Sequence, residues 1–138
     1  MVGDTIEREL AGQFPNEVIR ASAGTGKTFA LSNRYLKLLA SGVECQSILA
    51  TTFTRKGAGE ILDRIIGRLS DAALDDSAAA KLSSELGWEI SQARARDILH
   101  DLMGNLHRLE ISTLDSFFNR VAKAFSLELR LPPNWEIV

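Results

Sequence analysis

Residues 21–28 read Ala-Ser-Ala-Gly-Thr-Gly-Lys-Thr, a run of small residues closed by an amine and a hydroxyl. A loop of small residues lets backbone N–H groups point inward around an anion. A helix that starts at the end of such a loop adds its unpaired N–H groups and the positive end of its dipole. Lys27 is then placed to reach the β- and γ-phosphates of a nucleotide. Thr28 is placed to give its hydroxyl to Mg²⁺, in an octahedral shell shared with phosphate oxygens and water. The run follows G-x-x-x-x-G-K-[ST], with Ala21 in the first glycine position and Gly26, Lys27 and Thr28 in the last three. The alternative is a fortuitous glycine-rich turn. The order of strand, loop and helix around the run argues against it.

A second stretch with chemistry in it is TTFTRKGAGEI at 51–61. An apolar, β-branched segment ends at Phe53, and Arg55 and Lys56 follow at once. An exposed aromatic beside basic groups is how single strands of nucleic acid are held, by base stacking and phosphate neutralisation. The plain alternative is a core phenylalanine with two surface charges.

The other candidates are bland. His100 and His107 stand seven apart without acidic or cysteine partners at metal-ligand spacing. Cys45 is the single cysteine, with no neighbouring base, and reads as an inert thiol. Trp88, Trp135 and the Phe117/Phe118 pair read as packing residues.

Several elements must position these groups. Residues 17–21 (EVIRA) read as a short buried strand, and 27–39 as a helix with Leu31, Tyr35 and Leu38 on one face. Residues 47–53 (SILATTF) read as a second strand, and 57–69 as a helix with Ile61, Leu62, Ile65, Ile66 and Leu69 inward. The stretch 71–87 is poor in bulky apolar residues and reads as a loose helix or loop. Ser91 is a candidate cap for a helix whose apolar face is Leu99, Leu102, Met103 and Leu106, weakened at Gly104 by about 1 kcal/mol. Residues 109–113 (LEIST) read as a third strand. Phe117, Phe118, Val121, Ala122 and Phe125 mark a last amphipathic helix. Pro132 and Pro133 make the final stretch extended. The pattern βαβ(α)(α)βα predicts an α/β domain with a parallel sheet.

Length and composition agree with one soluble domain: 138 residues, 45% hydrophobic and 25% charged. A lone cysteine excludes an internal disulfide and points to a reducing compartment. No apolar run is long enough to cross a membrane and the N-terminus is acidic, so a cytoplasmic location is expected. Charge is uneven: residues 18–70 carry eight Lys/Arg against three Asp/Glu, between two acidic stretches. That basic block coincides with both motifs, as a polyanion partner requires, although a solvated basic surface has the same signature.

Taken together, ASAGTGKT, TTFTRKGAGEI and ISTLDSFFNRVAKAF (111–125) resemble motifs I, Ia and Ib of the UvrD/RecB-like superfamily 1 DNA helicases, over residues 17–138. The form of the first and third motifs is most similar to the RecB/AddA branch of helicase–nucleases. The resemblance implies a P-loop NTPase fold, a RecA-like parallel sheet flanked by helices, of which residues 1–138 would be the N-terminal part of the first motor domain. It implies ATP and Mg²⁺ as cofactors, held by Ala21, Ser22, Ala23, Gly24, Thr25, Gly26, Lys27 and Thr28, with Thr28 on the metal. It implies contacts to single-stranded or end-containing DNA through Thr52, Phe53, Thr54, Arg55, Thr113 and Ser116. The remainder of a helicase chain, or a helicase–nuclease partner subunit, is the implied protein partner.

This sequence departs from the family pattern in places. Asp115 stands where histidine is usual, and a carboxylate repels phosphate; near a helix start it suits the dipole instead. Gly57 stands where alanine is common. Gln13 lies closer to the loop than the family's adenine-reading glutamine and is left unassigned. The Asp-Glu pair and the arginines that hydrolysis needs are not found, so an N-terminal fragment that binds ATP without turning it over is expected. A different reading is a small stand-alone P-loop kinase or NTPase with Asp115 as its Mg²⁺-linked carboxylate. A third is a regulatory module that keeps the loop only as structure.

Overall fold

The structure is a computed structural model, and it describes residues 14–20, 26–132 and 135. Helix α1 (Lys27–Ala40) is followed by strand β1 (Leu49–Thr52), helices α2 (Arg55–Leu74), α3 (Asp76–Leu86) and α4 (Gln92–Gly104), strand β2 (Glu110–Thr113) and helix α5 (Leu114–Ala124). Short 3₁₀ turns at Cys45–Ser47 and Leu106–Arg108 lead into the strands. β1 and β2 pair in parallel, Leu49 opposite Glu110 and Thr52 opposite Thr113.

Hydroxyl and carboxylate caps mark most helix starts. Thr54 accepts from Gly57 N–H, Asp75 from Ser77 N–H, Ser91 from Arg94 N–H and Thr113 from Ser116 N–H. Each such cap stabilises its helix by about 1 kcal/mol. α3 ends at Gly87, whose left-handed φ of 60° favours glycine.

The core is mainly helical. α2 is its hub and packs on α1, α3, α4 and both strands. It buries Ile61, Ile65, Leu69, Ala72 and Ala73 against Tyr35, Leu36 and Leu39 of α1, Ala79, Leu82 and Leu86 of α3, and Ala95, Ile98 and Leu102 of α4. Each large apolar side chain buried in this way contributes roughly 1.5–3 kcal/mol. Gln92 Nε2 and Arg96 Nε both donate to the Ala73 carbonyl, at 3.0 and 2.9 Å, and tie the start of α4 to the end of α2. Ser83 Oγ accepts from Ile90 N–H at 2.8 Å and donates to the Ala79 carbonyl, closing the α3–α4 connection.

Several expectations are corrected. The stretch 71–87 is neither loop nor loose: it completes α2 and forms α3. Its alanines are strong helix formers, and buried at Ala72, Ala73 and Ala79 they allow close packing without bulk. The inward face of α4 is Ala95, Ile98 and Leu102; Met103 and Leu106 are exposed, Leu106 lying beyond the helix end. No residue of α5 is buried, so Phe117 is half-buried and Phe118 exposed rather than core.

The strand expected at 17–21 is absent among the described residues, Ala21 lying outside them. Val18 and Ile19 are exposed. The preceding residues are instead held against α1. Arg34 donates to the carbonyls of Phe14 and Pro15, at 3.3 and 2.8 Å, and pairs with Glu17. The Phe14 ring stacks on Trp88 at 6.3 Å, with the Lys37 ammonium 5.4 Å from the Phe14 ring centre. Trp88 packs against the core as expected. After α5 the chain turns through 125–130; residues 133, 134 and 136–138, expected to be extended, lie outside the described residues, as does Gln13.

Candidate functional site

Ala21, Ser22, Ala23, Gly24 and Thr25 lie outside the described residues, so the loop is seen only from its closing end. Gly26 stands there with φ of 69°, and a Cβ built on it meets no atom within 4 Å. Glycine is needed at this point for its backbone conformation rather than for space. It precedes α1 with no side-chain cap, and the first turn holds no acidic residue. The positive end of the helix is therefore not neutralised from within its own first turn. Lys27 is exposed and Thr28 half-buried.

The carboxyl end of the sheet gathers the other candidates. Thr52 closes β1, and Phe53 follows it 88% exposed, outside the core formed by the described residues. Thr54 Oγ1 accepts from Gly57 N–H at 3.0 Å, and Arg55 and Lys56 are exposed at the first turn of α2. Opposite Thr52 stands Thr113, which closes β2. Thr113 Oγ1 accepts from Ser116 N–H at 3.1 Å and donates to Ser116 Oγ at 2.7 Å. Asp115 is exposed in the same turn. Thr52, Phe53, Thr54, Arg55, Thr113 and Ser116 thus share the edge at which open α/β sheets bind ligands.

Gly57 explains one departure from the family pattern. A Cβ there would stand 2.8 Å from Thr52 Oγ1 and 2.9 Å from Thr54 Oγ1. The missing side chain leaves room for both hydroxyls at the sheet edge.

The start of α1 meets the far half of α2. Its Phe29 ring lies beneath the Arg68 guanidinium, 4.8 Å away, and Arg68 sits in the far half of α2. Arg68 stands thirteen positions along the helix from Arg55, about 20 Å at the helical rise. Sequence reasoning missed this Arg68 cluster. The available signal was weak: Arg68 falls beside the apolar stripe of Ile61, Ile65 and Leu69, and Phe29, Ser32 and Asn33 share one face of α1.

Two buried groups titrate abnormally, both remote from these edges in sequence. Burial pushes the Tyr35 phenol up to about 12, and its Oη has no hydrogen-bond partner among the described residues. Burial also pushes the Cys45 thiol up. Among the described residues no three His, Cys, Asp or Glu side chains cluster as a metal site, and no helix is long and apolar enough to cross a membrane.

The described site residues thus comprise a helix start opened by a left-handed glycine and a hydroxyl-rich carboxyl end of the sheet with an exposed aromatic. Residues 9–138 match the UvrD/REP helicase N-terminal domain, and the chain belongs to that family. It is 30% identical over 126 residues to an ATP-dependent helicase/nuclease subunit of Streptococcus sanguinis, covering 89% of this chain and 9% of that protein. It is 29% identical over 126 residues to exonuclease/helicase subunit RexA of Lactococcus lactis, with the same coverage. It is 32% identical over 130 residues to RecBCD enzyme subunit RecB of Mycobacterium tuberculosis, covering 86% of this chain and 12% of that protein. The chain thus spans about a tenth of the length of these relatives. No solved structure matches it significantly.

Proposed function

We propose that residues 1–138 form the N-terminal part of the first motor domain of an ATP-dependent DNA helicase or helicase–nuclease of DNA repair. In this reading the described strands belong to a RecA-like P-loop sheet. Residues Ala21–Thr28 wrap the nucleotide phosphates, Lys27 neutralises the β- and γ-phosphates, and Thr28 gives its hydroxyl to Mg²⁺. The metal, when bound, screens charge on the phosphate oxygens. The observation that supports this reading most is Gly26: its left-handed backbone opens a helix with an uncapped, acid-free first turn, immediately before Lys27 and Thr28.

Single-stranded DNA lies across the sheet edge in the same proposal. Phe53 stacks on a base, Arg55 meets a phosphate, and the hydroxyls of Thr52, Thr54, Thr113 and Ser116 contact the backbone. The exposure of Phe53 beside Arg55 and Lys56 supports stacking, because an accessible aromatic ring at a basic helix start can take a base face while the charges meet phosphate. The remainder of a helicase chain, or a partner subunit, supplies the groups that activate water and stabilise the transition state, in the cytoplasm. The 138-residue chain then binds MgATP but does not turn it over.

The test is a titration with labelled MgATP. Lys27→Ala removes the one ammonium at the loop and is expected to abolish most affinity; equal affinity in the variant and the parent refutes the phosphate-loop assignment. Phosphate release gives the second readout. The chain is expected to release no more than the Lys27→Ala blank. DNA-independent turnover of about 1 s⁻¹, lost in both Lys27→Ala and Asp115→Asn, would instead establish the stand-alone NTPase reading.

A further inference from the structure

Arg68 is the most heavily used polar side chain in the described structure. Its Nη1 donates to Ser32 Oγ at 3.1 Å and to Asn33 Oδ1 at 2.6 Å, both on α1. Its Nη2 donates to Glu85 Oε2 at 2.6 Å, on α3. Its guanidinium plane covers Phe29, in the first turn of α1. Ser32 is fully buried and passes the contact on, since its Oγ donates to the Phe29 carbonyl at 2.8 Å. One side chain therefore grips the first two turns of α1 by three routes: the Phe29 ring, the Phe29 carbonyl through Ser32, and Asn33. The fork of a guanidinium suits this, because its donors are fixed in one plane.

α1 is the helix whose start closes the phosphate loop. Its first N–H groups point where the axis points, so whatever fixes the first two turns also fixes those donors. We propose that Arg68 is a positioning residue for the phosphate loop: anchored by Glu85, it holds the start of α1 so that the N–H groups from Gly26 to Thr28 converge on phosphate. Arg68 touches no phosphate itself. Its carrier is α2, so the loop is aligned against the helix that begins at Arg55. The inference rests on the reading of residues 21–28 as a phosphate loop.

The experiment measures MgADP affinity of the 138-residue chain together with the backbone amide resonances of Gly26 and Lys27. Arg68→Met removes every polar contact, Arg68→Lys keeps the charge without the fork, and Asn33→Ala removes one acceptor while leaving Arg68 in place. Ile98→Val is the comparison: it trims a buried contact on α4, a helix to which Arg68 makes no hydrogen bond. The expected result is affinity at least tenfold weaker in both Arg68 variants and weakened to a smaller degree in Asn33→Ala. The Gly26 and Lys27 resonances shift in all three without nucleotide. Ile98→Val lowers the melting temperature and leaves affinity and both resonances unchanged.

Parent-like affinity in a folded Arg68→Lys, or in Asn33→Ala with unshifted resonances, overturns the proposal. So does a loss in Arg68→Met that Ile98→Val reproduces at equal destabilisation. The two readings separate cleanly. If Lys27→Ala loses MgADP while the Arg68 variants keep it, only the positioning role falls. If the parent and Lys27→Ala bind alike, the phosphate-loop reading falls and this inference with it.

Discussion

Replacing Gly57 by alanine tests how the sheet edge is built. In an ordinary helix interior the change stabilises by up to about 1 kcal/mol, because alanine loses less backbone entropy. Here the new Cβ would stand 2.8 Å from Thr52 Oγ1 and 2.9 Å from Thr54 Oγ1. Both threonines must rotate. Thr54 then gives up the bond it accepts from Gly57 N–H, and losing such a cap costs about 1 kcal/mol. Forcing a β-branched side chain off its preferred rotamer adds about 0.5–1.5 kcal/mol. The losses exceed the propensity gain, so Gly57→Ala is expected to destabilise the chain by about 1 kcal/mol net. In a Thr52→Ala/Thr54→Ala background the obstruction is gone, and the same substitution is expected to stabilise by about 0.5–1 kcal/mol. Urea denaturation followed by circular dichroism measures both legs, and the difference between them is the coupling. If Gly57→Ala raises stability equally in both backgrounds, the two hydroxyls do not occupy the positions argued for them.

Further outcomes are expected. Phe53→Ala should weaken oligo-dT binding by about 1–3 kcal/mol without changing the melting temperature, since the ring is 88% exposed; unchanged binding would show that no base stacks there. Burial raises the Tyr35 phenol from 10.0 to about 12, so the unfolded chain ionises first. Stability is whole below pH 10 and should fall between pH 10 and 12 by about 2–3 kcal/mol. Tyr35→Phe should flatten that alkaline slope in denaturation curves and cost nothing at neutral pH. Cys45 is 1% exposed with its thiol pushed up by burial, so a thiol reagent at neutral pH should label it only as fast as the chain opens.

Most helices were legible in the sequence, and of their caps Ser91 was. The periodicity of Ile61, Ile65 and Leu69 placed α2 inward, and Ser91 capped α4 as read. The alanine-rich span 71–87 was legible only as a loose helix or loop, because it lacks bulky apolar residues; it is well-formed helix, which needs only propensity and a close neighbour. On α4 the inward face was legible at Leu99 and Leu102 but not at Met103 and Leu106, and the α5 stripe is not core, for a related reason. Apolar spacing identifies a stripe, but which stripe is covered depends on partners distant in the chain, such as Ala73 and Leu39 for α4. At the sheet edge the residue types were legible and the geometry was not. Thr52 and Thr113 lie 61 positions apart, and only the parallel register sets them side by side. The Arg68 grip was not legible either, because it joins residues 36 and 17 positions apart through side-chain geometry alone.

The hydroxyl caps at the carboxyl edge have a consequence for ionic strength. A hydroxyl holds one proton and two lone pairs. Thr54 has already given a lone pair to Gly57 N–H, and Thr113 has given a lone pair to Ser116 N–H and its proton to Ser116 Oγ. Thr54 and Ser116 each keep a proton and one lone pair. Neutral donors of this kind match an acceptor-only partner such as a phosphodiester, yet they displace no condensed counterions when they bind it. In the proposed DNA contact, only charged groups such as Arg55 would contribute to the salt slope of binding. An affinity built on this edge therefore divides into one part that salt erodes and one that it leaves in place.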